Sequence, residues 1–299
     1  MFFTKASDVS RGDDVTRKKG DCGPKHQEHA CAILQSRSLP DSSAIVRGMR
    51  VEIPAQLVER LAAAERVVAL TGAGVSAESG VPTFREAQTG LWAQYRAEEL
   101  ATPEAFQRQP KLVWDWYEWR RTLVAKAAPN PGHFALSELE RLVPEFSLLT
   151  QNVDGLHQRA GSQRVIELHG SIFDTLCFDE GTQVLTWSDD GSVPPRCPRC
   201  AGWLRPGVVW FGEPLPEAAL ASASRAAAEC QLLLSIGTSS LVHPAARLPY
   251  DAKAAGALIV EINPTETALS KHADYVLRGP AGEMLPQLLR LLRKAKAAR

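Results

Sequence analysis

A chain of 299 residues is long enough for one large domain or for two unequal ones. Its 34 basic and 34 acidic residues balance, so no net field would attract nucleic acid or an anionic membrane, and we expect neither as a partner. No apolar run approaches the roughly 18 residues that span a bilayer. Six cysteines in a chain of this length do not form a disulfide framework, which favours a reducing, cytoplasmic location. The sequence is compatible with a monomer.

Residues 1–50 differ in composition from the rest of the chain. They are rich in Lys, Arg, Asp, Ser and Gly, and no helical or strand period persists in them. This composition predicts a disordered N-terminal tail. An organelle-targeting peptide is the alternative, but Asp8, Asp13, Asp14 and Asp21 are unfavourable for one.

The next elements predicted are a helix beginning near Leu57, a buried strand over residues 67–70 and a glycine-rich loop. In the loop, Gly72, Gly74 and Ala77 match the pattern G-x-G-x-x-A, in which the backbone can approach the phosphates of a ligand. The pattern alone is weak evidence, because a tight strand-to-helix turn with no ligand has the same sequence features.

The continuation of the loop is more specific. Gly80 and Pro82 interrupt the helix that would follow an ordinary dinucleotide fingerprint, and no strand follows Thr83, Phe84 and Arg85. This stretch predicts a cofactor loop that folds over its ligand, with Arg85 available to a phosphate or a ribose.

Two helices are predicted after the loop. Thr102 is a good N-cap for the first, and the second covers about residues 111–125. On the second helix an apolar stripe predicts the face that docks on the core, formed by Leu112, Trp116, Trp119 and Leu123.

Tyr117 and Arg120 lie side by side on the second helix, because they are three residues apart. Two interpretations are open. The pair can be a half-buried phenol beside a solvated guanidinium, which the spacing alone favours. It can also bind a ligand carboxylate through a charge-assisted fork and a hydroxyl donor.

The rest of the chain predicts an α/β fold, a Rossmann-like parallel sheet with helices on both faces. Further strands are expected at residues 146–149, 165–168, 232–236 and 258–262, and an amphipathic helix closes the chain. Small polar residues follow these strands: Gln151, Asn152 and Asp154; His169; Gly237, Thr238 and Ser239; and Asn263. Parallel strands end at one edge of a sheet, so these residues should converge there. An imidazole such as that of His169 can accept a proton near neutral pH, whereas His133 and His157 are interpreted as supporting residues.

A cysteine motif interrupts the alternation of strands and helices. Cys177 is followed by a polar stretch, and Cys197 and Cys200 form a C-x-x-C knuckle. Glu180 occupies the position that would complete a first knuckle. Three thiolates predict a structural zinc site, with Glu180 or Asp179 as an oxygen ligand. The alternative is that the module has lost its metal.

Six segments of the chain, in the same order, resemble the signature blocks of the sirtuins, which are NAD-consuming protein deacylases. They are residues 72–85, 150–157, 168–170, 208–213, 237–239 and 261–263. The resemblance covers roughly residues 52–295. It implies a catalytic domain over 51–299, with a large Rossmann-like part at about 51–170 and 205–299, a helical insert at about 86–130 and a zinc-ribbon-type module at about 171–204. Most sirtuins carry four cysteines in that module, so this chain departs from the pattern.

The resemblance also implies roles for individual residues. His169 would be the general base for a ribose hydroxyl, assisted by Asn152 and Asp154. Residues 208–213 are predicted to be extended, and the acylated lysine of a protein substrate would lie along Val208, Val209, Trp210, Phe211, Gly212 and Glu213. NAD, consumed as a co-substrate, would contact Gly72, Ala73, Gly74, Ser76, Ala77, Pro82, Thr83, Phe84, Arg85, Trp92, Gln151, Asn152, Asp154, Gly237, Thr238, Ser239, Asn263 and Ala281.

The sequence around Tyr117 and Arg120 resembles the class III branch of the family, which removes succinyl and malonyl groups. The implied function is removal of succinyl, malonyl and acetyl groups from lysine, with release of nicotinamide and O-acyl-ADP-ribose. Two alternatives stay open: mono-ADP-ribosyl transfer from the same NAD site, and a catalytically silent NAD-sensing or protein-binding module.

Overall fold

The computed structural model describes residues 52–82, 95 and 97–299. The predicted tail over residues 1–50 lies outside these residues, as do the proposed cofactor contacts Thr83, Phe84, Arg85 and Trp92. In the part of the chain that is described, no helix combines the length and the apolar character that crossing a membrane requires.

The described chain contains both helices and strands. The helices are α1 (Ala55–Ala63), α2 (Ala73–Ala77), α3 (Ala97–Leu100), α4 (Pro103–Arg108), α5 (Pro110–Lys126), α6 (Pro131–Leu142), α7 (Leu156–Arg159), α8 (Glu217–Glu229), α9 (Leu248–Ala254) and α10 (Ala281–Ala297). The strands are β1 (Arg66–Thr71), β2 (Glu145–Thr150), β3 (Val165–Glu167), β4 (Gly170–Cys177), β5 (Leu204–Val208), β6 (Leu232–Ile236), β7 (Leu258–Ile262) and β8 (Tyr275–Leu277).

Six of these strands form one parallel sheet in the order β3-β2-β1-β6-β7-β8. The strand order changes direction at β1, which has β2 on one side and β6 on the other. Thr71 at the end of β1 is in register with Thr150 and Ile236 on those two neighbours. In open α/β sheets, ligands bind at such a switch point, outside the carboxyl ends of the strands.

The central strands are buried on both faces, and alternate residues enter two different cores. Val67 and Ala69 of β1 pack in the core that includes α1, α6 and α10. Val68 and Leu70 pack in the core that includes α8 and α9. The continuous apolar run of β1 follows from this arrangement, and the predicted Rossmann-like sheet with helices on both faces is confirmed.

Two smaller units adjoin the sheet. Helices α4 and α5 bury their apolar residues in a third cluster. Strands β4 and β5 pair in antiparallel fashion, with Cys177 opposite Leu204 and Gly170 opposite Val208, and the pairing is irregular between Gly170 and Thr175. The cysteine motif lies between these two strands. The buried residues of this end form a fourth cluster with Trp114 of α5.

Two helix N-termini are capped by side chains, the first of them as the sequence predicted. The Thr102 hydroxyl accepts a hydrogen bond from the amide of Ala105 at 3.1 Å. Asn130 caps α6, with its side-chain oxygen accepting from the amides of Gly132 and His133. These caps satisfy amides that would otherwise lack a partner at the start of each helix.

The docking face predicted for α5 is only partly correct. Trp116 is buried as expected, but Leu112, Trp119 and Leu123 are only partly buried. The residues of α5 that are buried are Val113, Trp114, Trp116, Tyr117 and Val124. Apolar residues occur around most of this helix, and it contacts both the third cluster and the cysteine module. Periodicity alone therefore could not select the face.

The prediction of extended structure over residues 208–213 is also wrong for most of its length. Strand β5 ends at Val208, and a turn follows at Phe211 and Gly212. Gly212 has a φ of 88°, in the left-handed region that glycine adopts without strain. The apolar residues Val209 and Trp210 suggested a strand, but the turn at Gly212 ends the extended path. The three-residue strand β8 was not predicted, because it is too short to show a period.

Candidate active site

The glycine loop lies at the switch point of the sheet, where the segments after β1 and β6 touch. The Gly72 amide donates to the Ile236 carbonyl at 3.0 Å, and the Gly74 amide donates to the Gly237 carbonyl at 2.8 Å. A Cβ at Gly72 would lie 2.8 Å from Thr238 Cα, and one at Gly74 would lie 2.8 Å from Gly237 Cα. The two glycines are thus required by contact between protein loops, in addition to any approach of a ligand. As predicted, the helix after them is short, and Gly80 follows it at a φ of 76°.

Three predicted residues, Ser76, Asn152 and Asp154, meet beside this loop. The Ser76 hydroxyl donates to Asp154 Oδ2 at 2.7 Å. The Asn152 amide donates to the Gly72 carbonyl and to Ser76 Oγ, both at 3.1 Å. Asp154 is 4% exposed and also accepts from the Leu156 amide at 2.9 Å. These bonds fix the amide and the carboxylate in the site before any ligand arrives.

His133 contacts this cluster through Ser76. The Asn130 amide donates to His133 Nδ1 at 3.3 Å, so the ring proton is on Nε2, which lies 3.4 Å from Ser76 Oγ. The Asn130 side chain also donates to the Val75 carbonyl at 2.7 Å. Burial lowers the pKa of His133 to about 4, and the carboxylate of Asp154 opposes that shift. His133 is therefore neutral near pH 7.

His157 lies next to His133, with ring centroids 4.8 Å apart. Thr71 Oγ1 donates to Thr150 Oγ1 at 2.9 Å, so it accepts from His157 Nε2, also at 2.9 Å. Burial, and next the charge of His133, lower the pKa of His157 to about 3. The threonine pair was not identified from the sequence, although both residues end neighbouring strands in register.

His169 follows β3 and presents a basic nitrogen. Its Nδ1 lies 2.9 Å from the Gln151 carbonyl, which can only accept, so Nδ1 carries the proton and Nε2 is the acceptor. Burial lowers the pKa of His169, and the bond to the Gln151 carbonyl opposes the shift. The histidine is therefore neutral near pH 7, the state in which an imidazole can act as a general base.

The remaining predicted cofactor residues complete the edge of the sheet. Gln151 donates from its side chain to Thr238 Oγ1 at 3.0 Å, and Asn263 donates to the Thr238 carbonyl at 2.9 Å. Ser239 beside Thr238 is exposed. The start of α10 is bonded to the segment that follows α2: the amide of Gly282, next to Ala281, donates to the Glu78 carboxylate at 2.9 Å. The structure thus brings together the polar residues that follow β1, β2, β6 and β7.

Tyr117 and Arg120 of α5 lie in aromatic surroundings. Tyr117 is buried, and its hydroxyl oxygen accepts from Trp210 Nε1 at 3.0 Å. The Arg120 guanidinium lies over the ring of Trp116, 5.0 Å from its centroid. Burial raises the pKa of Tyr117 to about 12 and lowers that of Arg120, whose charged form is favoured by Tyr117 and by Asp154. The Coulombic coupling to Asp154 connects the pair on α5 with the polar cluster.

The segment after β5 is organised by an ion pair between a buried arginine and a partly exposed glutamate, which the sequence did not reveal. Arg205 pairs with both carboxylate oxygens of Glu213, and the Trp210 amide donates to Glu213 Oε2 at 2.7 Å. The sequence analysis did not identify Arg205 as a residue of the site. It could have been noticed as a charged side chain inside the apolar stretch around Leu204 and Val208, because a buried charge needs a partner.

This arrangement corrects part of the predicted peptide surface. The ring of Trp210 is 2% exposed and packs against Phe106 and Tyr117, so it does not face a surface peptide. The amides of Val209 and Phe211 also donate within the protein, to His169 and Ala101 at 2.9 Å each. Phe211, by contrast, is 43% exposed.

The cysteine motif forms a cluster of metal-ligand geometry. One ligand atom from each of Cys177, Glu180, Cys197 and Cys200 lies within 4.8 Å of the others. Cys177 Sγ and Cys200 Sγ are 3.4 Å apart, close to the roughly 3.7 Å expected for two thiolates on one tetrahedral zinc. The structure selects Glu180 over Asp179 as the oxygen donor, and Arg199 holds the Glu180 carboxylate at 3.1 Å. The side chains present therefore fit a zinc ion.

Comparison with known proteins agrees with this geometry. The Sir2 family matches residues 72–244 of the chain. A protein of Aquifex aeolicus named NAD-dependent protein deacylase is 52% identical over 229 residues, which cover 76% of this chain and 95% of that protein. A Sir2 homologue solved in complex with NAD is 49% identical, with a TM-score of 0.77, and the match covers 82% of this chain and 96% of that one. A mutant Sir2 homologue solved with 2'-O-acetyl ADP ribose is 49% identical, with a TM-score of 0.76 and coverage of 82% and 98%.

The matched region contains the glycine loop, the cluster of Ser76, Asn152 and Asp154, His169 and the cysteine module, which are the features that positioned the site above. Together, the fold, the order of the motifs and the similarity over most of the described chain establish that this protein belongs to the Sir2 family.

Proposed function

We propose that this protein is a lysine deacylase of the class III type, which uses NAD to remove succinyl and malonyl groups, and also acetyl groups, from protein substrates. The general part of this statement follows from the family: the chain is an NAD-dependent protein deacylase. The preference for acidic acyl groups is the finer proposal, and Tyr117 and Arg120 support it.

The observation that carries the finer proposal is a cation and a phenol enclosed by aromatic rings close to the polar cluster. Tyr117 is in contact with Trp116 and Trp210, and Arg120 stacks on Trp116. An acetyl group offers nothing to a guanidinium, whereas a succinyl or malonyl group ends in a carboxylate. Arginine can bind a carboxylate through two parallel hydrogen bonds, and a phenol can add a third.

We propose that NAD lies along the carboxyl edge of the sheet. The donor set suits a large polar ligand: the loop at 72–82, the polar cluster, and the residues after β6 and β7. When bound, NAD supplies an electrophilic ribose carbon and nicotinamide as the leaving group. The proposed contacts are Gly72, Ala73, Gly74, Ser76, Ala77, Pro82, Gln151, Asn152, Asp154, Gly237, Thr238, Ser239, Asn263 and Ala281.

His169 is assigned the proton transfer. Its Nδ1–H donates to the Gln151 carbonyl at 2.9 Å. This bond fixes the tautomer and leaves the unprotonated Nε2 free to accept a proton. In the proposed mechanism the acyl oxygen displaces nicotinamide from the ribose carbon. Nε2 then takes the proton of a ribose hydroxyl as that oxygen adds to the acyl carbon, and water releases the lysine with the acyl group left on the ribose. Asn152 and Asp154, held by Ser76, orient the nicotinamide end so that no reorganisation is needed during the reaction.

The acylated lysine is proposed to enter beside the segment at 208–213. The amides of Val209, Trp210 and Phe211 are occupied within the protein, which excludes regular strand pairing along the whole segment. Phe211 and Gly212, which are exposed at the turn, are therefore the proposed peptide contacts. Main-chain contacts of this kind read little sequence, so the acyl-lysine itself carries most of the recognition.

We propose one structural zinc ion in the cysteine module, held by Cys177, Cys197, Cys200 and Glu180. A zinc site closed by four protein ligands contributes folding energy and leaves no open position for a reactant. The module at about 171–204 is thus assigned a structural role, and the large part and helical insert form the cleft.

One assay tests the proposed function. Peptides carrying acetyl-, malonyl- or succinyl-lysine are incubated with the protein and with NAD labelled in its adenine moiety. We expect one nicotinamide and one labelled O-acyl-ADP-ribose per lysine released, for all three peptides. Label retained on protein would instead indicate mono-ADP-ribosyl transfer. An absence of nicotinamide release would leave an NAD-sensing module, and removal of acetyl alone would contradict the class III preference.

A further inference from the structure

The indole of Trp210 controls the direction of the Tyr117 hydroxyl. Trp210 Nε1 is a donor only, and it lies 3.0 Å from Tyr117 Oη. The phenol oxygen therefore accepts from the indole, and its own proton is directed away from Trp210. Burial holds the pKa of Tyr117 at about 12, so the phenol remains a donor across the pH range of any ordinary assay.

The indole is itself fixed from two sides. The Arg205 guanidinium lies over the indole ring, 3.4 Å from its centroid, and pairs with Glu213. Glu213 in turn accepts from the Trp210 main-chain amide at 2.7 Å. Arg205 also donates to the Val208 carbonyl at 2.8 Å. A partly buried network with several mutual bonds of this kind favours one arrangement of its members.

We propose that Trp210 is a positioning residue for acyl-chain selectivity: held by Arg205 and Glu213, its indole N–H orients the Tyr117 hydroxyl to donate to the carboxylate end of a succinyl or malonyl chain. This inference rests on the proposed function of the Tyr117–Arg120 pocket. It adds that selectivity depends on a buried residue that touches no substrate. An acetyl group has no carboxylate to accept a hydrogen bond from the Tyr117 hydroxyl, so its removal does not depend on that orientation.

Trp210→Phe is the direct test, since it removes the N–H donor and keeps an aromatic ring. We expect kcat/KM for succinyl-lysine peptide to fall about three- to tenfold, the equivalent of one neutral hydrogen bond, with little change for acetyl-lysine peptide. The loss should appear mainly in KM. Trp203→Phe is the matched control, because it makes the same substitution on a partly buried tryptophan that contacts Arg196 in the cysteine module.

A double-mutant cycle separates positioning from general packing. In a Tyr117→Phe background the phenol is absent, so Trp210→Phe should have no further effect on the succinyl-to-acetyl ratio. Equal losses on the two peptides, or an unchanged effect of Trp210→Phe in the Tyr117→Phe background, would overturn the inference. If Trp210→Phe does not fold, Arg205→Lys replaces it, because lysine keeps the charge but cannot form the paired, stacked contact that fixes the indole.

The inference can fail independently of the proposed function. If the wild-type protein removes succinyl groups and Trp210→Phe leaves the succinyl-to-acetyl ratio unchanged, the pocket stands and the role of Trp210 does not. If the wild-type protein has no desuccinylase activity, the pocket assignment itself is wrong and the inference falls with it.

Discussion

Replacing Arg120 with Met tests whether the pocket on α5 recognises the far end of the acyl chain. Methionine retains an unbranched, apolar side chain of similar length but removes the cation. A hydrogen bond to a charged group contributes about 1.5–3 kcal/mol, which corresponds to a loss of roughly 10- to 100-fold in kcat/KM for a succinyl-lysine peptide. A substrate carboxylate left without its partner in aromatic surroundings moves the result toward the upper end.

The acetyl-lysine peptide supplies the internal reference for this variant. Acetyl has no carboxylate for Arg120 to bind, so its removal should fall by less than about threefold, the equivalent of roughly 0.6 kcal/mol. The ratio of the two kcat/KM values, rather than either value, is the measured quantity. The lost contact with Trp116 should lower stability by only about 0.5–1 kcal/mol. Thermal unfolding of the variant checks that both peptides are assayed on folded protein.

Arg121→Met is the matched control for Arg120→Met, one residue further along the same helix. The Arg121 guanidinium donates to the carbonyls of Ile172 and Asp174, and its hydrogen bonds reach none of the predicted site residues that the structure describes. The Arg121→Met substitution should lower stability and change kcat/KM for the succinyl and acetyl peptides in the same proportion. An equal loss on succinyl and acetyl peptides in Arg120→Met, with an unchanged ratio, would refute the assignment of the pocket.

Three further predictions concern protonation and metal. Because burial lowers the pKa of His169, kcat/KM for the acetyl peptide should stay constant as the pH is lowered to about 6.5 and should fall only at a pH below that; His169→Gln should reduce kcat/KM by about 100-fold or more across a pH 5–8 profile. The folded-state pKa of His157, about 3, lies below its unfolded value, so the unfolded chain binds the proton more readily and stability falls as pH drops below about 6.5. At pH 5 this amounts to about 2 kcal/mol, so the free energy of unfolding from urea titrations should fall by about that much more between pH 7 and pH 5 in the wild-type protein than in His157→Gln. An equal fall in both proteins would contradict a lowered pKa of His157. Glu180→Ala should lower both the zinc retained after dialysis against a chelator and the melting temperature, whereas Asp179→Ala should retain the metal, and equal retention by both variants would remove Glu180 from the ligand set.

Much of the fold could be predicted because its signals are local. The runs at residues 232–236 and 258–262 are apolar, end in small polar residues and match β6 and β7 in full. The convergence of Asn152, His169 and Thr238 follows from the rule that parallel strands end at one edge. These inferences need only the period of the sequence and the direction of the strands.

The parts that could not be predicted depend on contacts between distant segments. The family resemblance assigned Trp210 to a peptide surface, but its partner Tyr117 is 93 residues earlier in the chain. The pairing of Arg205 with Glu213 and the approach of Gly74 to Gly237 likewise depend on tertiary structure. Periodicity reports that a residue is buried; it does not report which residue it meets.

Between Gly170 and Thr175, β4 departs from regular pairing with β5, and Arg121 bridges the departure by donating to the backbone there. An irregularity of this kind bends a strand and increases its local twist. The end beside His169 stays with the main sheet through the bond from the Leu168 amide to the Thr150 carbonyl at 2.8 Å. The imidazole and Cys177 therefore stand at the two ends of one bent strand, and the bend sets the direction in which the cysteine module leaves the sheet.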